Sequence, residues 1–389
     1  MAARCRRRAA GRWVRARAVG CPRTARRARP PTPARAGSRR PRVRRWVVAG
    51  SGRLPSSPAT RVPSRCHGRA RSDDGAGLGA PPGPAAGCCG TVTACRVSHL
   101  GLSSRPTGGG GAVVAWQRRV TRVGQLGLHL ARGGPAGAPA IVALHGIGDD
   151  GECWRPVADD LAGDHDVVLL DARGHGRSDG PVAGYTTSDH VADVVGVVRA
   201  LGLQRPLLLG HSMGAVTALA LAALHPGLPG RIALEDPPPW WSRPSTPNEV
   251  ELARTRSLQA TILALKRRTH GELLEIQREA APRWSDTALR RWADSTQRLS
   301  AHVPLGLEEQ HRTNSGLQWP ALLTHVRCPA LLLHGDTDRG GALDAAAARA
   351  LRGHVPHVEV AHLPGAGHTP RHEDPRGYLA AVRRFLATT

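Results

Sequence analysis

The stretch LLLGHSMGAVTALALAAL at residues 207–224 decides the fold of this chain. A short apolar run leads into Gly210-His211-Ser212-Met213-Gly214, and a longer apolar run follows. The pattern predicts a buried strand at 206–209, a sharp turn at the serine and a helix over 213–224. Glycine on either side lets the neighbouring backbone approach closely, so the turn is expected to lift the hydroxyl out of the sheet edge.

Short apolar strands and amphipathic helices alternate on both sides of this stretch. The pattern predicts helices over 188–201, 343–351 and 375–386, and further strands over 113–120, 124–131, 140–144, 166–171, 231–235, 330–334 and 357–361. Apolar strands that alternate with helices favour an α/β fold, with a mostly parallel eight-stranded sheet and helices on both faces.

Residues 240–322 interrupt the alternation with a helical pattern and no strand signal. Ser245 and Pro247 are expected to begin one helix, Thr269 with Glu272 forms a possible capping box for a second, and Ser285 is expected to cap a third. An all-helical insert between two strands predicts a cap over the carboxyl edge of the sheet. The predicted domain at 112–389 therefore has a core at 112–239 and 323–389, and a helical cap at 240–322.

The N-terminal part is different in composition. Residues 1–110 hold 24 arginines and two acidic residues, so they carry nearly all of the chain's formal charge of +24. Proline, glycine and serine dominate there, and we predict that 1–111 is a disordered extension without a function of its own. A phosphate-binding basic tail is the alternative. Because the rest of the chain is nearly neutral, no specific nucleic-acid partner is expected.

Composition also excludes several classes of protein. No apolar run approaches the roughly 18–20 residues that span a bilayer, and no apolar stretch of a secretory signal follows the basic start. Only Cys153 and Cys328 lie outside the basic extension, which fits a reducing cytoplasm. Cys88, Cys89, Cys95 and His99 lack paired metal-ligand spacing, so no metal or other cofactor is expected.

Ser212 is the predicted nucleophile, and a hydroxyl needs a base to act as one. His368 follows the last predicted strand on the glycine-rich loop LPGAGH, which makes it the predicted base. Two aspartates are candidates for the acid that orients it. Asp338 follows the seventh strand in GDTD and is the preferred choice, although Gly340 and Gly341 depart from the usual residues there. Asp236, directly after the sixth strand, is the alternative.

Backbone amides are the predicted oxyanion donors. The amide of Met213 begins the helix after Ser212, and the amide of Ile147 lies on the loop after the third strand. We interpret His145 as a residue that braces this loop. His175, in the charged and glycine-rich loop after the fourth strand, is interpreted in the same way.

Five segments in this order resemble the α/β-hydrolase superfamily, in its serine-nucleophile branch with a helical cap. They are Leu-His-Gly-Ile at 144–147, Asp-Ala-Arg-Gly-His-Gly-Arg-Ser at 171–178, Gly-His-Ser-Met-Gly at 210–214, Gly-Asp-Thr-Asp at 335–338 and Gly-Ala-Gly-His at 365–368. The resemblance covers 112–389. It implies an eight-stranded sheet, a Ser–Asp–His triad, oxyanion amides from Ile147 and Met213, and an enzyme that needs no cofactor.

The substrate is the least determined property. The predicted function is hydrolysis of a small or medium carboxylic ester with an apolar acyl group, through an acyl-enzyme. Amide, carbon–carbon and perhydrolase chemistry, or a non-catalytic binding role, are the alternatives. The cap carries Trp240, Trp241, Trp284, Trp292 and Trp319, and most are expected to pack its helices. Arg243, Lys266, Arg267 and Arg268 are interpreted as a solvated helix face, with contact to an acidic substrate as the alternative. The oligomeric state is left open.

Overall fold

A computed structural model describes residues 114–388 of the 389-residue chain. The predicted disordered extension and its six cysteines lie outside the described residues. Within 114–388, Cys153 and Cys328 are both free and buried. In the same part of the chain, no helix has both the length and the apolar composition needed to cross a membrane.

Eight strands of the described chain form one mixed sheet. They are β1 Gln117–Val123, β2 Leu126–Gly133, β3 Ala140–Leu144, β4 Asp166–Leu170, β5 Leu207–His211, β6 Arg231–Glu235, β7 Ala330–His334 and β8 Val358–His362. Their order across the sheet is β1-β2-β4-β3-β5-β6-β7-β8. β2 is antiparallel to both β1 and β4, and every later pair is parallel. The predicted eight-stranded, mostly parallel sheet is therefore confirmed.

The first two strands lie two to four residues later than predicted. Val123 pairs with Leu126, so Gly124 and Gln125 form a tight turn rather than the start of β2. Gly124 has a φ of +57°, a conformation that glycine adopts without strain. Most of β1 is exposed at the edge of the sheet. Its residues therefore carry little of the apolar alternation on which the prediction depended.

Helices cover both faces of the sheet, as predicted. The helices of the described chain are α1 Arg155–Leu161, α2 Thr187–Ala200, α3 Met213–Leu224, α4 Glu249–Leu265, α5 His270–Ala280, α6 Asp286–Arg298, α7 His302–Leu305, α8 Leu307–Gly316, α9 Trp319–Leu323, α10 Ala345–His354, α11 Pro370–Glu373 and α12 Pro375–Ala387. One apolar cluster joins α2, α3 and α10 to one face. A second joins α1 and α12 to the opposite face. Residues on both faces of the central strands are thereby removed from water, which is the main stabilising contribution.

Six helices, α4 to α9, lie between β6 and β7. Asn248 caps α4 through a hydrogen bond from the amide of Glu251, so this helix begins later than the predicted start at Ser245 or Pro247. The capping box of Thr269 and Glu272 begins α5 as predicted. Ser285 caps α6, also as predicted. Residues 240–322 contain helices and no strand in the structure, and we call these residues the cap segment.

The parallel strands bring distant loops together. Strands β3, β5, β6, β7 and β8 run in the same direction, so the loops at their carboxyl ends meet at one edge of the sheet. These are the loops that carry the predicted site residues. Ligands of open α/β sheets bind at this edge.

Candidate active site

Ser212 lies at a strained turn between β5 and α3. Its backbone has φ 49° and ψ −111°, a conformation that costs a non-glycine residue about 1–3 kcal/mol. The serine amide donates a hydrogen bond to the carbonyl of Glu235 on β6 at 2.9 Å, which fixes the turn against the neighbouring strand. The serine side chain therefore projects from the sheet edge at the N-terminus of a 12-residue helix.

The glycines on either side of this turn are sterically required. A Cβ on Gly210 would lie 2.4 Å from the carbonyl oxygen of Gly214, and a Cβ on Gly214 would lie 2.1 Å from the carbonyl oxygen of Leu144. Both distances are far below van der Waals contact. The spacing of glycines around the serine is therefore explained by the backbone packing of β3, β5 and α3.

The loop after β3 packs directly on the turn. A Cβ on Gly146 would lie 2.6 Å from Nδ1 of His211 and 3.3 Å from Cβ of Ser212. Within residues 114–388, the amides of Ile147 and Met213 donate no hydrogen bond. Both amides are therefore available as donors, one in the residue after Ser212 and one in the residue after Gly146, which is what the predicted pair of oxyanion donors requires.

Gly146 supports a specific prediction. In Gly146→Ala the added methyl group must displace His211 or Ser212, and a shift of about 1 Å in a reacting group costs about 100-fold in rate. We expect kcat/KM to fall by about 100-fold with little loss of folded protein. Gly227→Ala is the matched control, because its Cβ meets no atom within 4 Å. Equal activity of the two variants in a steady-state assay would contradict this packing argument.

His368 is held by Asp236. The Nδ1 atom of the imidazole lies 2.6 Å from Oδ2 of the aspartate, whose side chain is fully buried. The same oxygen accepts a hydrogen bond from the amide of Ala342 at 2.7 Å. Burial lowers the pKa of His368, but the hydrogen bond and the charge of Asp236 outweigh burial and raise it above its ordinary value. The buried carboxylate thus favours the imidazolium form.

The structure pairs His368 with the alternative acid, Asp236, and not with the preferred choice, Asp338. Asp338 is exposed, and within the described residues its side chain has no hydrogen-bond or ion-pair partner. It lies in the short turn Thr337–Arg339, after which Gly340 reverses the chain at a φ of 97°. The loop then returns through Ala342 to Asp236, the alternative acid. Gly340 and Gly341 depart from the usual residues after Asp338. In the sequence they mark the point at which the loop turns back toward Asp236.

The imidazole of His368 lies beside the serine turn. Its ring centroid is 4.7 Å from that of His211, the residue before Ser212, and Nε2 of His211 bonds the carbonyl oxygen of His368 at 3.0 Å. In the described chain, no hydrogen bond joins the Ser212 hydroxyl to His368. Such contacts are often loose in ligand-free enzymes and tighten when substrate binds.

A buried ion cluster beneath the turn was missed by the sequence analysis. Arg371 is fully buried, and its guanidinium bonds Glu235 at 2.9 Å and Asp149 at 3.2 Å. The backbone amide of Arg371 also donates to Glu235, whose own carbonyl accepts from Ser212. This cluster ties the loops of Ser212, Asp236 and His368 together. In the sequence, this ion cluster is indicated only by Glu235, a charged residue at the end of an apolar strand.

His145 and His175 brace loops, in agreement with their interpretation from the sequence. His145 contacts its neighbouring carbonyl at 2.8 Å, and its Nε2 accepts a hydrogen bond from the amide of Ala172 at 3.0 Å. His175 packs on it with ring centroids 5.0 Å apart. Burial, together with the charge of His145, holds the pKa of His175 well below its usual range. Within residues 114–388, neither ring is hydrogen-bonded to Ser212.

An apolar cluster joins the cap segment to the predicted oxyanion loop. We call it the Ile147 cluster, and it comprises Ile147, Tyr185, Leu258, Ile262, Leu299, Val303 and Leu307. The side chain of Ile147 itself packs against this cluster. Trp240, Trp241 and Trp319 instead belong to the large core cluster, in line with their expected packing role. In residues 114–388 no group of three or more His, Cys, Asp or Glu side chains has the arrangement of a metal site.

Comparison with known proteins agrees with this geometry. A family profile described as the alpha/beta hydrolase fold matches residues 139–375, which is more than half of the chain. The chain belongs to the α/β-hydrolase family. An N-formylmaleamate deformylase of Pseudomonas putida is 32% identical over 251 residues, which cover 64% of this chain and 88% of the relative. A pimeloyl-[acyl-carrier protein] methyl ester esterase of Chromobacterium violaceum is 30% identical over 256 residues, 64% of this chain and 95% of the relative.

Solved structures show the same architecture. The crystal structure of an E-2-(acetamidomethylene)succinate hydrolase superposes with a TM-score of 0.59 at 23% identity, covering 70% of this chain and 99% of that one. At this identity the similarity establishes the fold alone. The protein is thus an α/β-hydrolase enzyme, and its chemistry must be argued from its own residues.

Proposed function

We propose that this α/β-hydrolase is a serine hydrolase that cleaves a small or medium carboxylic ester through an acyl-enzyme. One observation carries the proposal: a serine at a strained strand-to-helix turn lies beside a histidine that is hydrogen-bonded to a buried carboxylate. In the proposal Ser212 is the nucleophile, His368 the base, and Asp236 the acid that orients it. The amides of Ile147 and Met213 are the oxyanion donors.

The proposed mechanism has two half-reactions. His368 takes the hydroxyl proton while Ser212 Oγ bonds to the carbonyl carbon, and the carbonyl electrons move to the oxygen. Two amides stabilise that oxyanion, and removing one such donor costs about 2.7–4 kcal/mol in other enzymes. The tetrahedral intermediate collapses, and the imidazolium gives its proton to the departing alkoxide. Water then attacks the acyl-enzyme by the same route and releases the carboxylic acid.

Asp236 has two roles in this proposal. Its hydrogen bond to Nδ1 fixes the tautomer, so that Nε2 is free to accept the serine proton. Its negative charge stabilises the imidazolium that forms during attack, which agrees with the raised pKa of His368. The strain at Asp236, whose φ is 43°, is consistent with a residue held in place for function.

Amide hydrolysis is the second candidate. One relative of similar identity is named as a methyl ester esterase, and another is named as a deformylase of N-formylmaleamate. Both activities fit a serine acyl hydrolase. The two differ in the leaving group, because an amine must be protonated by His368 before it departs. Carbon–carbon cleavage, perhydrolysis and a binding role without catalysis remain weaker alternatives that no contact in the described chain favours.

A substrate panel tests the choice. We expect turnover of p-nitrophenyl esters from acetate to octanoate, with kcat/KM highest for a short or medium chain that the Ile147 cluster accommodates. Formanilide and acetanilide are the matched amides. Hydrolysis of the anilides but of none of the esters would overturn the ester proposal in favour of the amide, and turnover of neither would overturn both.

The raised pKa of His368 predicts a specific pH dependence. The base works only when it is neutral, so kcat/KM should rise with pH through a midpoint above the unperturbed histidine value of about 6.5. The profile of p-nitrophenyl butyrate hydrolysis from pH 5 to pH 9, corrected for the uncatalysed rate, measures this midpoint. A midpoint clearly below the ordinary histidine value would show that Asp236 does not act on the working base.

A further inference from the structure

Arg243 is a half-buried cation without an ionic partner in the described chain. It lies between the short turn Trp240–Ser242 and α4, so its interpretation as part of a solvated helix face is wrong. Its guanidinium stacks on the ring of Trp240 at 4.6 Å from the centroid. Within residues 114–388 it makes no ion pair and no side-chain hydrogen bond. A guanidinium presents five donors, and none of those of Arg243 is bonded to another side chain or to the backbone of the described residues.

His311 presents a second unused polar atom at the same place. Its side chain is 8% exposed, and Nδ1 lies 2.8 Å from the hydroxyl of Thr255 on α4. The other ring nitrogen, Nε2, is buried with no partner in the described residues. The ring meets the edge of Trp240 at a centroid distance of 4.9 Å and an angle of 89°. Since Nδ1 faces α4, Nε2 points away from that helix.

Two connections link this pair to elements of the candidate active site. Trp240 follows Asp236 by only four residues, across three consecutive prolines. His311 lies one helical turn after Leu307 on α8, and Thr255 lies one turn before Leu258 on α4. Residues three or four apart share a helix face. Leu258 and Leu307 belong to the Ile147 cluster, so the helix faces that carry Thr255 and His311 also contribute to that cluster.

The charged groups around Arg243 and His311 favour the binding of an anion between them. Glu251 is the acidic group that acts on Arg243, but its carboxylate already accepts a hydrogen bond from the amide of Asn248 at 3.0 Å. Arg254 and Arg312 add positive charge from the exposed sides of α4 and α8. Burial lowers the pKa of His311, and the neighbouring charge of Arg243 lowers it further. An anion would satisfy both side chains.

We propose that Arg243 and His311 form a carboxylate-binding subsite at the cap end of the substrate pocket. The substrate of this hydrolase then carries a free carboxylate, separated from the scissile carbonyl by an apolar chain that lies along the Ile147 cluster. The assignment of that anion to an acyl substrate rests on the proposed function. The guanidinium fork matches a carboxylate bidentately, which selects it over an uncharged group.

The test compares matched substrates and matched variants. The carboxylated substrates are mono-p-nitrophenyl adipate and suberate, and the uncharged ones are their p-nitrophenyl methyl diesters. Arg243→Met keeps the side-chain stem and removes the charge. Arg254→Met is the control, because it removes an exposed positive charge from the same neighbourhood. Arg243→Lys keeps the charge without the planar fork and is expected to recover activity only in part.

We expect the native enzyme to prefer the carboxylated ester, and Arg243→Met to lose about 10- to 100-fold in kcat/KM for it. The loss should be in KM, since the contact is made equally in the ground and transition states. The methyl diesters should change by less than about two-fold in both variants. Equal effects of Arg243→Met and Arg254→Met, or no preference in the native enzyme, would overturn the proposal.

Direct binding separates this proposal from the ester reaction. Calorimetric titration of Ser212→Ala with monomethyl adipate and dimethyl adipate reports on the subsite without turnover. Tighter binding of the monoester, weakened when Arg243→Met is added, supports the subsite even if no ester is hydrolysed, in which case only the ester proposal fails. Equal or absent binding of the two compounds overturns the subsite, even if neutral esters are hydrolysed well.

Discussion

Asp236→Asn is expected to lower kcat by about 1,000- to 10,000-fold. The asparagine has the same shape, but its amide carries no charge to stabilise the imidazolium. It must also satisfy two neighbours at once, because Oδ2 of Asp236 faces both Nδ1 of His368 and the amide of Ala342. An amide oxygen placed there still accepts both bonds but leaves the imidazolium uncompensated. An amide nitrogen placed there would donate a hydrogen bond to Nδ1. The proton of the neutral imidazole would then lie on Nε2, which could no longer accept the serine proton.

Asp338→Asn is the matched control for this prediction. The residue is exposed and has no partner within the described chain, so kcat should stay within about two-fold of the native value. Circular dichroism and thermal unfolding establish that both variants are folded. A large loss in Asp338→Asn, with Asp236→Asn nearly unaffected, would restore Asp338 as the working acid. Small effects in both would show that neither aspartate supports the base.

Ser212→Ala is expected to have the largest effect of all. Loss of the nucleophile removes the acyl-enzyme route, and comparable serine hydrolases lose about a million-fold in kcat. The residual rate comes from substrate binding and the oxyanion amides. Alanine has no greater difficulty than serine with the backbone conformation at this turn, so the variant should fold normally.

The measurement for Ser212→Ala is the steady-state hydrolysis of the best p-nitrophenyl ester, with Ser257→Ala as the control. Ser257 is exposed on α4, and its hydroxyl makes no hydrogen bond within the described residues. Substrate binding, measured by titration with an unreactive ether analogue, should be retained in Ser212→Ala. Retention of more than about one per cent of the native kcat would mean that another group is the nucleophile.

The positions of Ser212 and His368 at one edge of the sheet could be predicted from sequence because their signals are local. The turn at Ser212 depends on Gly210 and Gly214, whose contacts are with residues of the turn itself and with the end of β3. His368 is marked by its glycine-rich loop after the last strand. The sheet could be predicted for a similar reason, since apolar strands buried on both faces have a distinctive composition.

The acid and the supporting cluster could not be decided in this way. Whether Asp236 or Asp338 reaches His368 depends on the path of the chain after β7, which Gly340 and the hydrogen bond from Ala342 determine. Arg371 and Glu235 meet only in the folded chain, because 136 residues separate them. The position of Arg243 outside a solvated helix face could not be predicted either, because it involves stacking against Trp240, a contact that no helical pattern reveals.

The most direct test of the central claim is chemical labelling of the native enzyme with a fluorophosphonate, followed by peptide mapping with mass spectrometry. The proposed site predicts a single adduct on Ser212, formed at a rate that falls sharply in Asp236→Asn and stays unchanged in Asp338→Asn. Folded protein that reacts at a different serine, or at none, would contradict the assignment of Ser212, His368 and Asp236 as one catalytic unit.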